Sequence, residues 1–312
     1  DALNVELIDS VKTDSRHLCE LAQYTLNFGG KRIRPVFLFL SYMLCGHRKL
    51  PDSVKKMALV VELMHTATLV HDDIIDNATL RRGRESVQKK FGLSKGLLCG
   101  DFFLTKAFGL CSDLPTYIRK ATEDCAIKLI EGETDELETD VASQFDEILR
   151  IATFKTASLF SLCGRAGAFF ANADERIIEL CAEFGQICGL AFQVLDDIFD
   201  VIGQPDKTGK ARGVDLRERK PSIVIHFWLQ TNSEVSQAYI ENDPNLTIEI
   251  ILEDLMKSDA LTLSYKFLLE LVQRAELKTL LLNKNQDIHD LFQVFFQQFK
   301  VQSEFHEAGL LN

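Results

Sequence analysis

The sequence predicts an all-α fold in a single domain spanning residues 1–312, and three observations carry that expectation. Proline is scarce: 6 among 312 residues, at positions 35, 51, 115, 205, 221 and 244, so residues 116 to 204 run without one. Proline lacks the backbone donor a helix needs, and its ring clashes with the preceding turn. Where proline is absent, Leu, Ala, Glu, Lys and Phe abound, and most of these are good helix formers. Apolar residues recur at three-and-four spacing, the mark of a helix with one buried face. No segment alternates as a strand would, and no Ser/Gly linker divides the chain.

The elements follow in order. From Ser53 to Asp76, apolar residues fall at Met57, Val60, Val61, Met64, Ala67, Val70 and Ile74, with Asp52 or Ser53 placed to cap the start. Much of residues 96 to 139 reads as helix, as does the whole of Phe145 to Phe170. Asp174 caps another helix, which Gly203 and Pro205 end after Ile202. Several further helices follow Pro244.

Composition bounds the function. Hydrophobic residues make up 46% and charged residues 26%, enough apolar surface for a large core. Lys and Arg number 35 against 46 Asp and Glu, a net charge of −11. Such a chain lacks the positive field of a general nucleic-acid binder. The 8 cysteines form no C-x-x-C pair and lie mostly in apolar helical context. That predicts reduced thiols packed as small hydrophobes, in a reducing, cytoplasmic setting. The longest uncharged run, Pro221 to Ser233, has 13 residues. A membrane-spanning helix takes about 20, so none is expected. The first residues show no signal-peptide pattern, and the chain begins at Asp1 without Met, which leaves room for a segment ahead of it.

Two short segments carry the chemistry: LVHDDIID at 69–76 and VLDDIFD at 194–200. Each contains Asp-Asp-x-x-Asp. In a helix, residues i and i+4 share a face, so Asp72 with Asp76, and Asp196 with Asp200, each project two carboxylates together. This placement costs three times over. Like charges one turn apart repel, apolar surroundings disfavour ionised groups, and a helix C-terminus opposes negative charge. A divalent cation would offset all three. With oxygen ligands only, a hard ion such as Mg²⁺ fits best, bound through carboxylates and substrate phosphates. The alternative, two solvated acidic helix ends, fits one such motif better than two set among Val, Ile, Leu and Phe.

The neighbouring residues point the same way. His65, Thr68, Asp72 and Asp76 line one side of the first helix, and Gln193 shares a side with Asp196, Asp197 and Asp200 in the second. Gly185 and Gly189 below Gln193 leave either open space or a close helix contact. Cations stand where an anion would want them. Residues 29–35, GGKRIRP, form a glycine turn, then Lys31 and Arg34, then Pro35 at an apparent first helical position. Arg81 and Arg82 follow the first acidic helix directly, and arginine forks suit diphosphate oxygens. Lys155, beside Thr156, is the only charged residue between Arg150 and Arg165, so it must snorkel, pair or face a cavity. The stretch 203–221 holds Lys207, Lys210, Arg212, Arg217, Arg219 and Lys220 against Asp206, Asp215 and Glu218, a basic reversal in an acidic chain.

In order, GGKRIRP, ELMHTATLVHDDIIDNATLRRG, FKTASLF, GLAFQVLDDIFD and TGKARGVDLRERKPS resemble the motifs of trans-isoprenyl diphosphate synthases, the polyprenyl synthetases. They run from residue 29 to 222. The similarity is greatest to long-chain polyprenyl (octaprenyl-type) diphosphate synthases. After about residue 230 only the general helical pattern is similar.

That resemblance implies the isoprenoid synthase fold: ten or more helices around a deep central cavity, usually in a homodimer. It implies that Asp72, Asp76 and Asp196 ligate Mg²⁺, in a cluster of roughly three ions once substrate is bound. Asp73, Asp197 and Asp200 would lie nearby or act through water. Arg81, Lys155 and Lys210 would hold the allylic diphosphate, farnesyl or geranylgeranyl. Lys31, Arg34, His65 and Arg82 would hold isopentenyl diphosphate. Thr156 and Gln193 would stabilise or position the cationic centre, and Lys220 would guard the mouth. The expected partners are these two diphosphates and a second copy of the chain, with membrane contact at most peripheral during product release.

Product length turns on the residues one turn below Asp72, because an isoprene unit is about as long as one helical turn. Aromatic residues there stop the product early in the family. Here they are Ala67 and Thr68, with Met64 a turn further down as a narrowing. The expected product has about six to ten isoprene units, with a short-chain farnesyl or geranylgeranyl product as the alternative. Two residues depart from the family pattern: Glu85, where Pro often follows RRG-x, and Arg219, in place of Gly in D-L-x-x-G-K. Both bear on the geometry of the mouth. Three rivals fit less well. A non-catalytic subunit of a heteromeric synthase would be expected to lose an Asp-rich motif. A di-iron protein needs a second Glu-x-x-His beside Glu62 and His65. A terpene cyclase usually carries Asn, Ser or Thr in its second metal motif.

Overall fold

A computed structural model describes residues 2–203, 212–282 and 286–297. In chain order the elements are α1 (Ala2–Ser10), α2 (Arg16–Leu26), α3 (Ile33–Leu44), α4 (Asp52–Ile75), β1 (Leu80–Arg81), β2 (Arg84–Glu85), α5 (Val87–Phe91), α6 (Leu93–Cys111), α7 (Thr116–Glu138) and α8 (Phe145–Ala152). A π-helical turn (Thr153–Ala157) follows, then α9 (Ser158–Phe170), α10 (Glu175–Ile202), α11 (Val214–Glu218), α12 (Ile223–Leu229), α13 (Glu234–Ile240), α14 (Ile248–Lys257), α15 (Ala260–Leu282) and α16 (Gln286–Gln297). The chain divides into two compact units: Asp1–Ile127 with Leu159–Gly185, and Lys128–Ser158 with Gln186–Asn312.

The first unit is built on α4, which packs chiefly against α6, with α3, α1 and α5 beside it. Val54, Met57, Ala58, Val60, Val61, Leu63 and Met64 are all fully buried. Apolar on nearly every side, this half of α4 is a central helix rather than the one-faced helix its spacing suggests. Neither Asp52 nor Ser53 caps it. Pro51 is the extended residue before the helix, and Asp52 sits inside the first turn, where its carboxylate pairs with Lys55 at 3.1 Å. Pro35 is likewise the third residue of α3, not the first, because Arg32 in the left-handed region starts that helix two residues earlier.

Glycines set the closest helix contacts of this unit. A Cβ on Gly167 would stand 2.8 Å from the Tyr42 amide in α3, and one on Gly185 only 2.3 Å from the Phe160 carbonyl in α9. Gly185 is therefore a close helix contact rather than open space. Six of the cysteines, Cys99, Cys111, Cys125, Cys163, Cys181 and Cys188, are buried as small core residues.

The second unit has its core around α12 and α15. Trp228 is fully buried and its indole N–H donates to Asp254 at 2.8 Å. Phe145 of α8 packs its ring against His226, Phe227 and Phe267. In the first unit, Asp174 caps the start of α10 as expected, accepting from the Ile177 amide at 2.9 Å. The expected unbroken helix over 145–170 is interrupted by the π-turn. That turn lies where its backbone abuts α7, since a Cβ on Gly132 would fall 2.7 Å from the Lys155 amide. By length and composition α10 could cross a membrane, contrary to the reading from uncharged runs, yet 56% of its most apolar window is buried in the protein.

Candidate active site

In the first unit, local backbone geometry gathers four guanidinium groups. Gly29, Gly30 and Arg32 all have positive φ, so the chain curls tightly before α3. Gly30 sits at φ 142, a conformation side chains with a Cβ rarely adopt, and a Cβ there would also lie 2.7 Å from Arg82 Nη1. Arg82 itself donates to the Gly29 carbonyl. Arg82 and Gly83, both with positive φ, form the two-residue loop between β1 and β2, in which Arg81 pairs with Arg84. Two successive positive φ values are what a tight hairpin loop demands. The strands are too short to show alternation in the sequence.

Each arginine has a partner. Arg32 Nη1 donates to Glu62 at 2.6 Å, an ion pair whose carboxylate is nearly fully buried. Arg34 Nη1 stands 3.0 Å from His65 Nε2, and Arg34 lies over the Phe160 ring. Burial, then the charges of Arg34, Arg82, Arg81 and Arg32, push the His65 pKa well down. His65 is thus a neutral acceptor for Arg34. Arg81 Nε donates to Asp73 at 2.8 Å, and Asp73 is 2% exposed. Gly29, Arg32, Glu62, Asp73, Arg81 and Arg82 are among the residues lining a shallow recess here. Four guanidiniums and a neutral imidazole meet the Glu62 and Asp73 carboxylates in this corner, with Asp72 and Asp76 also acting on Arg81. The corner is suited to an anion with several oxygens.

The remaining residues of this unit take graded positions. Asp72 and Asp76 are half-buried in the last turn of α4, where the Asp76 amide donates to the Asp72 carbonyl at 2.8 Å. Met64 and Ala67 are fully buried, whereas Thr68 is half-buried with its hydroxyl on the His65 carbonyl. Lys31 is exposed. Arg32 and Glu62 were not singled out as site residues in the sequence. Arg32 was only one cation of its cluster, and Glu62 only half of an incomplete Glu-x-x-His.

The second unit holds the second motif. Asp196 is exposed and Asp197 buried to 4%. Asp197 accepts from Gln193 at 2.8 Å and from the Ile223 amide at 3.0 Å. Thr156, in the π-turn, donates to Gln193 at 2.6 Å, so a hydroxyl, an amide and a carboxylate form one chain of bonds. Burial pushes the Asp197 pKa to about 7, against the pull of its two hydrogen bonds and with the charges of Asp196 and Asp200 adding to the rise. Asp200 accepts from the Val214 and Asp215 amides at 3.0 and 3.2 Å.

Lys155 resolves as a paired cation, 2.8 Å from Glu133 and also bonded to Glu136, both on α7. Lys220 pairs with Glu218 at 3.0 Å. Asp215, passed over as one acid in a basic stretch, belongs with the motif. Burial and the charges of Asp200, Asp197 and Asp196 push its pKa well up, with Lys220 opposing. Lys207 and Lys210 lie outside the described residues. Among the described residues no three His, Cys, Asp or Glu side chains converge into a ready-made metal cage. The donors offered are paired carboxylates, which fits Mg²⁺ held partly by the protein and partly by phosphate oxygens.

Residues 15–254 match the family model described as polyprenyl synthetase. The chain belongs to the polyprenyl synthetase family. It is 31% identical over 235 residues to solanesyl diphosphate synthase 1, chloroplastic, of Arabidopsis thaliana, covering 73% of this chain and 58% of that one. It is 36% identical over 201 residues to decaprenyl-diphosphate synthase of Dictyostelium discoideum, covering 64% of this chain and 44% of that one. The chain thus spans about half the length of these relatives. Its fold is similar to that of a crystal structure of polyprenyl synthase from Caulobacter crescentus complexed with calcium and isoprenyl diphosphate. The TM-score is 0.85 at 28% identity, over 92% of this chain and 90% of that one. The all-α polyprenyl synthetase fold expected from the motifs is therefore the fold observed.

Proposed function

We propose that this polyprenyl synthetase family member is a prenyltransferase that condenses isopentenyl diphosphate head-to-tail with an allylic diphosphate, giving a long-chain all-trans polyprenyl diphosphate. One observation carries the reading. Each Asp-Asp-x-x-Asp keeps its first and last carboxylates more accessible, while the second is buried and locked in place, Asp73 by Arg81 and Asp197 by Gln193 and Ile223. A surface cluster of acids would not need its middle member fixed in the core.

Asp72, Asp76 and Asp196 would hold Mg²⁺, with Asp200 close by. When bound, Mg²⁺ supplies positive charge to the departing diphosphate. Arg81, Lys155 and Lys210 bring further positive charge to the allylic diphosphate, stabilising what develops as its C–O bond breaks. Lys31, Arg34, neutral His65 and Arg82 bind and orient isopentenyl diphosphate. Its double bond then attacks the allylic carbon, a new C–C bond forms, and a proton leaves to the pyrophosphate. Thr156 and Gln193, bonded to each other, present fixed dipoles to the cationic centre, and Lys220 covers the mouth.

Ala67 and Thr68 are small enough to let the growing chain pass, so the product is long, about six to ten isoprene units. The calcium and isoprenyl diphosphate in the Caulobacter relative, and the solanesyl and decaprenyl names of the two curated relatives, support cation, ligand and length alike. The working form is a homodimer in a reducing compartment. Incubation with farnesyl diphosphate, labelled isopentenyl diphosphate and Mg²⁺, followed by sizing of the products, tests the reading.

A further inference from the structure

Arg219 departs from the family motif within the support of the second acidic cluster. It stands where the motif carries Gly, and its backbone lies in the left-handed region at φ 55 and ψ 37. Glycine enters that region freely, whereas a residue with a Cβ does so against strain. The side chain shows what offsets the strain. Arg219 Nη1 donates to the Tyr239 carbonyl at 2.7 Å and Nη2 to the Ile240 carbonyl at 3.4 Å. These belong to the last turn of α13, where the Tyr239 carbonyl also accepts from the Asn242 amide at 3.1 Å and a helix C-terminus favours a cation. The same guanidinium lies 4.6 Å from the centre of the Tyr239 ring. Tyr239, itself buried, sends its hydroxyl back to the Leu216 carbonyl of α11 at 3.0 Å. The far end of α11 meets the motif. The Gly213 amide donates to the Asp200 carbonyl at 2.7 Å, and the Val214 and Asp215 amides hold the Asp200 carboxylate.

A helix of five residues cannot hold itself together in water. Its amides stay aimed at Asp200 only if the segment is fastened elsewhere.

We propose that Arg219 and Tyr239 clamp α11 to α13 and thereby orient Asp200, which makes both of them positioning residues for the second acidic motif. The catalytic consequence rests on the prenyltransferase reading; the clamp does not.

Amide hydrogen exchange on the metal-free full chain tests it. In Arg219→Gly, exchange at Val214 and Asp215 should rise about tenfold while the amides of α12 keep their wild-type rates. Tyr239→Phe should give a smaller rise confined to α11, and Arg219→Lys should restore part of the protection. Calorimetry with Mg²⁺ and inorganic pyrophosphate should show a severalfold higher Mg²⁺ requirement in Arg219→Gly. Turnover should fall in kcat with KM for isopentenyl diphosphate unchanged. Wild-type exchange at Val214 and Asp215 in Arg219→Gly would overturn the clamp, and so would an equal rise throughout α12, which would mark a merely structural residue. A wild-type chain that protects these amides yet transfers no prenyl group would sink the functional reading and leave the clamp standing.

Discussion

Asp73 and Asp197 are counterparts: each is the second aspartate of its motif and each is buried, to 2% and 4% exposure. Helix geometry explains the shared pattern. A residue one step on is turned about a quarter of the way round the helix, so the first and fifth carboxylates share a face that the second cannot reach. The second turns inward and must be paired, since an unpaired buried charge is costly.

Replacing the inner aspartate should therefore damage the fold, and replacing an outer one should damage the chemistry. Asp73→Asn leaves Arg81 buried without its counter-charge and should cost about 3 kcal/mol in urea unfolding. Asp72→Asn should leave stability within about 0.5 kcal/mol, or raise it by relieving repulsion, while Mg²⁺-dependent turnover collapses.

The Asp197 pKa, raised to about 7, sets a pH dependence. An unfolded aspartate titrates near 4, so the folded metal-free protein holds a proton the unfolded chain has released. The stability this brings is complete below about pH 4 and is lost as pH rises through about 7, on the order of 2–4 kcal/mol in all. Calorimetric scans of EDTA-treated protein should show Tm falling between about pH 4 and 7, and Asp197→Asn should flatten that slope. Asp215 shifts in the same direction.

Gly30→Ala tests the arginine corner. The new Cβ meets Arg82 at 2.7 Å and the backbone sits at φ 142, so both the side chain and the turn must move. Stability should fall by about 1–2 kcal/mol, and KM for isopentenyl diphosphate should rise about tenfold with kcat much less affected. Steady-state kinetics at saturating allylic substrate separates the two.

Ala67→Phe tests product length. Ala67 is fully buried, so overpacking should cost about 1–3 kcal/mol. If Ala67 lies on the path of the growing chain, chromatography of the products should show them shortened while total incorporation persists. Unchanged length would place the limiting residue elsewhere.

Much of this was legible in the sequence because the signals were local. Proline spacing and apolar period gave the helices, the Asp174 cap marked the start of α10, and doubled carboxylates marked both acidic motifs. What stayed hidden depends on partners far along the chain. The π-turn at Thr153–Ala157 has no signature of its own and shows only against α7. Arg32 becomes a site residue through Glu62, and Asp215 through Asp200. Asp52 looked like a cap by residue type, but Pro51 already held the extended conformation before the helix. The oddity of Arg219 was visible as a missing glycine, and its meaning only once Tyr239 lay beneath it.

The most direct measurement is incorporation of labelled isopentenyl diphosphate into farnesyl diphosphate with Mg²⁺, comparing wild type with Asp72→Asn and Asp196→Asn. The account predicts Mg²⁺-dependent long-chain products from wild type and near-complete loss in both variants. Wild-type protein that incorporates no label, or variants that incorporate it as well as wild type, would contradict it.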